Sequence, residues 1–226
     1  MKDVVAYIPL RGGSKSIPLK NVRNFCGKPL AYWTVKAAND CSLIDVVYVA
    51  TDSEQIANTI KNFTLPKICV ISRSPYTATD TASTELAMIE FAHAHKFNEI
   101  ILIQATNPLL TAKDLTEGIL LYKNGHYDSL LSAVEQKRFI WHRDGDRYTP
   151  QNYEPHNRPR RQEMIGYYVE NGAFYITSYK RLLETKTRLS GKIGIYPMDD
   201  KTYFEIDEPS DWTIIEEIAK QGGMMS

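Results

Sequence analysis

The sequence predicts an α/β fold, a mainly parallel sheet with helices on both faces. Two observations carry that prediction. Short β-branched or aliphatic runs alternate with longer helical stretches, the order that βαβ units impose. The runs are also apolar without interruption, as in Ile100-Ile101-Leu102-Ile103, which suits strands covered on both sides. At 226 residues the chain fits one domain, spanning 1–226. A chain of that size buries about 70% of its unfolded surface and needs no disulfide or metal to fold.

The elements follow in order. Val4 to Pro9 is the first strand. It resembles a weak signal peptide, but its apolar stretch is short and Arg11 follows at once, so a buried strand is the better reading. A glycine-bearing loop runs from Arg11 to Asn21, and Pro29 to Ala38 reads as a helix. Val46 to Thr51 is a second strand, ended by Asp52-Ser53, which can cap a following helix. Ile68 to Ser72 is a third strand, Ser83 to His95 a helix, and Glu99 to Gln104 the most hydrophobic strand. Thr111 opens a helix with Asp114 three residues on, in the manner of a capping box. Ser129 to Val134 is a fifth strand. The pattern breaks over residues 135–170, which are polar, aromatic and basic and carry Pro150, Pro155 and Pro159. Long irregular segments in compact domains usually serve function or an interface. Order resumes at Ala173 to Thr177. The last helix carries Ile215, Ile218 and Ala219 at i, i+3, i+4, a core stripe.

Composition excludes several classes. Lys plus Arg and Asp plus Glu both total 27, so the basic excess of a nucleic-acid binder is missing. Three cysteines (Cys26, Cys41, Cys69) at wide spacing support neither a disulfide framework nor a thiolate zinc site, and they favour a reducing cytoplasm. No apolar run approaches the ~20 residues of a membrane span, so no membrane partner is expected. His93 and His95 lack the i, i+4 spacing of a helical zinc pair.

The sharpest feature is Arg11-Gly12-Gly13-Ser14-Lys15-Ser16-Ile17-Pro18-Leu19-Lys20-Asn21. It follows the first strand, where open α/β sheets bind ligands. Two glycines let backbone N–H groups approach a ligand, and Arg11, Lys15 and Lys20 add cations, a combination suited to a polyphosphate. A solvated basic turn has the same composition. The spacing matches neither the Walker loop nor the dinucleotide fingerprint.

With the preceding Ile8-Pro9-Leu10, this segment resembles the opening signature of the acylneuraminate cytidylyltransferases, in which A-R-G-G-S-K-G-I-P-x-K-N follows an apolar strand. Leu10 and Ser16 depart from the usual Ala and Gly. The resemblance extends over nearly the whole chain, through Lys28-Pro29-Leu30, Ser72-Arg73, Asp80-Thr81-Ala82-Ser83-Thr84 and Gln104-Ala105-Thr106-Asn107-Pro108-Leu109. It continues in Arg158-Pro159-Arg160-Arg161-Gln162-Glu163, Glu170-Asn171-Gly172-Ala173-Phe174-Tyr175 and Glu205-Ile206-Asp207-Glu208-Pro209-Ser210-Asp211-Trp212. The basic run and Glu170-Asn171-Gly172 look closest to the animal-type branch.

The resemblance implies a Rossmann-like nucleotide-diphosphosugar transferase fold, with residues 135–170 as an inserted dimerisation arm that contacts the sugar. It implies transfer of CMP from CTP to the anomeric hydroxyl of a nine-carbon α-keto acid sugar, N-acetylneuraminic acid or KDN, with Mg²⁺. Catalysis of this kind is mainly positioning and charge neutralisation. Arg11, Gly12, Gly13, Ser14 and Lys15 are then assigned to the triphosphate, and Asn21, Arg73, Ser83 and Thr84 to the nucleotide. Lys20, Arg160 and Asp207 take the catalytic roles, and Gln104, Arg160, Arg161 and Asn171 the sugar. Guanidinium groups such as Arg160 and Arg161, beside His156 and Arg158, can grip a sugar carboxylate. Glu205 and Asp207 alternate on an extended stretch and can face one side, as two oxygen ligands for Mg²⁺. The family pattern is Asp-x-Asp, so Asp207 is the direct ligand and Glu205, one methylene longer, acts through water. Leu110 replaces an Arg found in many relatives, which removes a charge contact.

The expected partners are CTP, a nonulosonic acid sugar and a second copy of the chain. The expected location is cytoplasmic, or nuclear in an animal protein. No second hydrolytic activity is expected, because the phosphatase-like extension of some animal members is lacking. A sister enzyme activating legionaminic acid or Kdo is the alternative reading. From another class, a non-catalytic nucleotide-binding paralogue would arise through the Ser16 and Glu205 departures.

Overall fold

The β-branched runs pair into one sheet whose two faces are both covered. The structure is a computed structural model and describes residues 2–13 and 16–223. In chain order the elements are β1 (Lys2–Leu10), β2 (Asn24–Phe25), β3 (Lys28–Pro29), α1 (Leu30–Asp40), β4 (Val46–Thr51), α2 (Glu54–Lys61), β5 (Ile68–Ser72), α3 (Thr84–Ala94) and β6 (Phe97–Ile103). There follow α4 (Ala112–Asn124), β7 (Ser129–Gln136), β8 (Trp141–Asp144), β9 (Arg147–Pro150), β10 (Tyr167–Ser178), α5 (Tyr179–Thr185), β11 (Ile193–Met198) and α6 (Pro209–Gln221).

The sheet has the order β11-β7-β10-β6-β1-β4-β5. β10 runs antiparallel to both of its neighbours, while β11–β7, β6–β1, β1–β4 and β4–β5 are parallel. The chain winds outward from β1 through β4 to β5, then crosses back to place β6 on the other side of β1. That reversal opens a crevice at the carboxyl ends of β1 and β6, the switch point where such sheets bind ligands.

Alternation along β1 explains its unbroken apolar run. Val4, Ala6, Ile8 and Leu10 pack with Val35 of α1, Ile56 of α2 and Leu115 and Ile119 of α4. Val5 and Tyr7 face the other way, against Met88 and Phe91 of α3 and Leu182 of α5. A third cluster lies under the loop after β1, where Ile17, Phe25 and Ile206 pack on Trp212, Ile215 and Ala219 of α6. The predicted stripe of the last helix is therefore core, although Ile214 is exposed.

Helix starts follow their local signals. Ser53 caps α2 by accepting from the Ile56 N–H, and Ser83 caps α3 by accepting from that of Leu86. Thr111 and Asp114 form the reciprocal capping box of α4.

The segment 135–170 is more regular than its composition suggests. β7 runs on to Gln136, β8 and β9 form a hairpin, and β10 begins at Tyr167 rather than Ala173. The first half of β10 pairs with β7 alone and alternates half-buried Tyr167 and Val169 with exposed Tyr168 and Glu170, so it lacks the unbroken apolar run of a buried strand. β11 has no counterpart among the expected strands. It is an edge strand that tolerates Gly194 and Pro197, residues that argue against a central strand.

Candidate active site

A cleft of about 310 Å³ sits at the carboxyl ends of β1 and β6. Arg11, Lys20, Asn21, Arg73, Thr84, Gln104 and Asp207 all line it, so the structure brings together seven residues that the sequence singles out from separate stretches. Ser14 and Lys15 lie outside the described residues.

Arg11 is the first residue after β1, and its Nη1 pairs with Asp80 Oδ1 at 2.6 Å. The loop behind it is braced from two sides. The Asn21 amide donates to the Arg11 carbonyl at 3.2 Å, and the Gly12 N–H donates to Asp52 Oδ1 at 2.9 Å, tying the loop to the end of β4. A Cβ at Gly12 would stand 3.0 Å from the Ser53 Cβ, so glycine serves close packing there. Neither Gly12 nor Gly13 has a positive φ, and Gly13 faces open space. Ser16 stands where the usual residue is glycine. Its hydroxyl donates to the Asp207 carbonyl at 2.6 Å.

Lys20 opens a short 3₁₀ turn, Lys20–Val22. Its side chain is 12% exposed, and its Nζ donates to the Ile206 carbonyl at 2.7 Å and to Asp207 Oδ1 at 3.2 Å. Arg73 follows β5 and donates to the carbonyl and hydroxyl of Thr77, whose hydroxyl in turn donates to Glu90 Oε2 at 2.7 Å. Gln104 follows β6. Its backbone N–H reaches the Ala173 carbonyl, while its side-chain amide lines the cleft and makes no hydrogen bond to another described residue. Thr84 is the first residue of α3, and the Ser83 hydroxyl is committed to capping that helix rather than lining the cleft.

The two carboxylates are set by residues 205–207. Ile206 is buried and donates its N–H to the Thr106 carbonyl at 2.8 Å, which stitches the stretch to the end of β6. Glu205 Oε2 accepts from the Thr106 hydroxyl at 3.0 Å. Burial pushes the Glu205 carboxyl above the usual range, and nearby Asp207 adds to this, against the Thr106 hydrogen bond and the Lys20 charge. Asp207 is 68% exposed at the cleft, and its N–H is held by Asp211 Oδ2 at 3.1 Å. Among the described residues no group of three or more His, Cys, Asp or Glu side chains could hold a metal.

Asn171, Arg160, Arg161 and Ser83 are expected site residues that lie away from this cleft. Asn171 is fully buried and does not face the cleft. Its amide accepts from the Ser132 hydroxyl at 2.8 Å and donates to the Thr202 hydroxyl at 3.0 Å, so it is a core hydrogen-bonding residue. Its sequence neighbours gave no sign of this, because both partners are distant in the chain. Asn171→Ala removes two buried hydrogen bonds and leaves the space of the amide empty, at a cost of about 2–3 kcal/mol, read as a lower denaturant midpoint with an unchanged slope. Arg160 and Arg161 are exposed on the segment before β10 and do not line the cleft of their own chain. Ser83, as noted, acts as a cap. Leu110, by contrast, accounts for its own departure, since it is buried in the main core.

Thr106 and Asp80 are the site residues that the sequence reading passed over. Both stand inside the matched motifs. Their partners, Glu205 and Arg11, are separated from them by 99 and 69 positions, and no local signal reports such a pairing.

Comparison with known proteins places this geometry. The profile of the family described as Cytidylyltransferase matches residues 5–225. N-acylneuraminate cytidylyltransferase A of Danio rerio is 38% identical over 221 residues, 96% of this chain and 50% of its own length. The chain thus spans about half the length of that relative. CMP-N,N'-diacetyllegionaminic acid synthase of Legionella pneumophila is 28% identical and covered over 95% of both chains. In fold, a CMP:2-keto-3-deoxy-manno-octonic acid synthetase solved with CTP superposes with a TM-score of 0.73, over 98% of this chain and 100% of that one, at 17% identity. The mostly parallel sheet is that nucleotidyltransferase fold. No helix among the described residues is long and apolar enough to cross a membrane.

Proposed function

The chain belongs to the cytidylyltransferase family, and from that premise we propose that it transfers CMP from CTP to the anomeric hydroxyl of a nine-carbon α-keto acid sugar, N-acetylneuraminic acid or KDN, releasing pyrophosphate. The observation that carries this reading is the convergence of Arg11, Lys20, Asn21, Arg73, Gln104 and Asp207 on one cleft at the switch point of the sheet.

The residues divide the work by their chemistry. Asn21, Arg73 and Thr84 border the part of the cleft that takes the nucleoside. Arg11 and Lys20 supply fixed positive charge for the triphosphate. Attack by the anomeric hydroxyl on the α-phosphorus expels pyrophosphate, and the Lys20 ammonium, held by the Ile206 carbonyl, neutralises the charge that develops on the leaving group. Gln104 offers an unused amide to the sugar.

Glu205 and Asp207 are hard oxygen donors at the phosphate end of the site, and two carboxylates completed by phosphate and water oxygens suit Mg²⁺. The residues fit such an ion: Asp207 is open to the cleft, and Glu205 is held in place by Thr106. Bound there, Mg²⁺ supplies charge neutralisation at the phosphates.

Arg160 and Arg161 suit the sugar carboxylate. Standing outside their own cleft, they fit a homodimer in which residues 135–170 reach the partner's site. Mixing Lys20→Ala with Arg160→Ala protein then restores activity that neither has alone, because one mixed site keeps both residues. Mixtures as inactive as their components reject the exchange.

The test of the main reading is pyrophosphate release with CTP and Mg²⁺ across N-acetylneuraminic acid, KDN, legionaminic acid and Kdo, with ATP, GTP and UTP as controls. Release that requires CTP and one nine-carbon sugar is the expected result. CTP binding without release from any sugar favours a non-catalytic paralogue. Legionaminic acid is the second substrate reading, because the Legionella relative is matched over 95% of both chains.

A further inference from the structure

The Glu170-Asn171-Gly172 motif does not line the cleft, yet its backbone carries a break in strand pairing and a glycine in the left-handed region. Between Glu170 and Tyr175 the pairing of β10 with β7 shifts register: β10 advances from 170 to 175 while β7 passes only from 133 to 131. The excess residues form an irregular bulge, a device that re-aims groups near functional sites. Asn171 pins the bulge from several directions. Its side chain holds Ser132 and Thr202, and its carbonyl accepts from the Asn107 amide at 2.9 Å.

The bulge delivers Gly172 at φ +61°, and its α-carbon lies directly under the Glu205 carboxylate. A Cβ there would stand 1.9 Å from Glu205 Oε2 and 2.4 Å from its Cδ, far inside contact distance. That Cβ would collide with the carboxyl group itself, so relief requires moving that carboxyl group. The same Oε2 accepts from the Thr106 hydroxyl on another side. Glu205 is thus seated between a hydroxyl and a bare α-carbon.

We infer that Gly172 is a positioning residue for Glu205: the missing side chain makes the seat that holds the longer carboxylate where, with Asp207, it can hold a divalent cation on the nucleotide. This rests on the metal-holding role proposed for Glu205 and Asp207. It gives the motif a task that direct sugar contact by Asn171 does not.

The test compares wild type, Gly172→Ala, Glu205→Asp and the double variant Gly172→Ala/Glu205→Asp. The readout is Mn²⁺ affinity, by electron paramagnetic resonance, in the presence of a non-hydrolysable CTP analogue. Affinity for that analogue without metal serves as the control. Gly172→Ala is expected to weaken Mn²⁺ binding by about tenfold or more, as loss of an outer-shell support does, with little change in metal-free analogue binding. The shorter aspartate makes room for the added methyl, so the double variant returns to the affinity of Glu205→Asp alone. Backbone strain at φ +61° is the same in the single and double variants, so strain alone predicts no recovery. Unchanged Mn²⁺ affinity in Gly172→Ala, or no recovery in the double variant, overturns the inference. If Gly172→Ala does not fold, a folded double variant supports the steric seat, and an unfolded one overturns it. A wild-type protein that binds neither analogue nor Mn²⁺ rejects the functional reading instead, which keeps the two failures distinct.

Discussion

Lys20→Ala lowers turnover by about 10²–10³-fold, the loss expected when a preorganised group that stabilises transition-state charge is removed. The Lys20 ammonium is held by the Ile206 carbonyl at 2.7 Å with only 12% of the side chain exposed, so it is fixed before substrate arrives. The expected stability change is small. Its partner Asp207 is 68% exposed, and a pair open to solvent contributes about 0–1 kcal/mol. The measurement is kcat with CTP and the preferred sugar, beside a denaturant midpoint. A midpoint near wild type with collapsed kcat is the expected pattern, and turnover within about threefold of wild type rejects the catalytic role. Lys20→Arg is not a rescue, because a planar guanidinium cannot reproduce the compact ammonium at the Ile206 carbonyl.

Asp207→Asn is the second large effect. The substitution keeps the size of the side chain and removes its charge. The backbone ties of residue 207 do not depend on the carboxylate, since its carbonyl accepts from Ser16 at 2.6 Å and its N–H donates to Asp211 at 3.1 Å. The local geometry therefore survives, and the change isolates the charge. Two carboxylates are on hand for Mg²⁺, so loss of one leaves a weaker donor set. The Mg²⁺ concentration for half-maximal rate rises by about tenfold or more, and the rate at saturating metal falls as well. Initial rates over a Mg²⁺ series read both quantities. An Mg²⁺ curve that superposes on wild type moves the metal elsewhere.

The two predictions rest on features of different legibility. Lys20 stands in a loop whose glycines and cations point to phosphate from the sequence alone, and the structure puts it in the cleft. Asp207 is legible as one of two alternating carboxylates, but its placement beside Lys20 depends on a contact 187 positions apart. Arg73, Thr84 and Gln104 are legible through the matched motifs, and all three line the cleft. Asn171 was not. An asparagine in a motif reads as a ligand contact, and only its burial against Ser132 and Thr202 shows that its amide is already spent.

By itself the sequence determined the alternation of strands and helices, the caps at Ser53 and Thr111, and the clustering of glycines and cations in the loop after β1. Each depends on periodicity or on groups within a few residues of each other, and a linear reading contains that information. The tertiary structure alone decided that β11 joins the sheet as an edge strand, that Asp80 meets Arg11, and that Gly172 and Thr106 together seat Glu205. These pairings come from the winding of the sheet, which folds distant segments onto the carboxyl ends of β1 and β6. Contacts made by the fold carry no local signature, because a side chain's burial and partners are properties of the packed molecule.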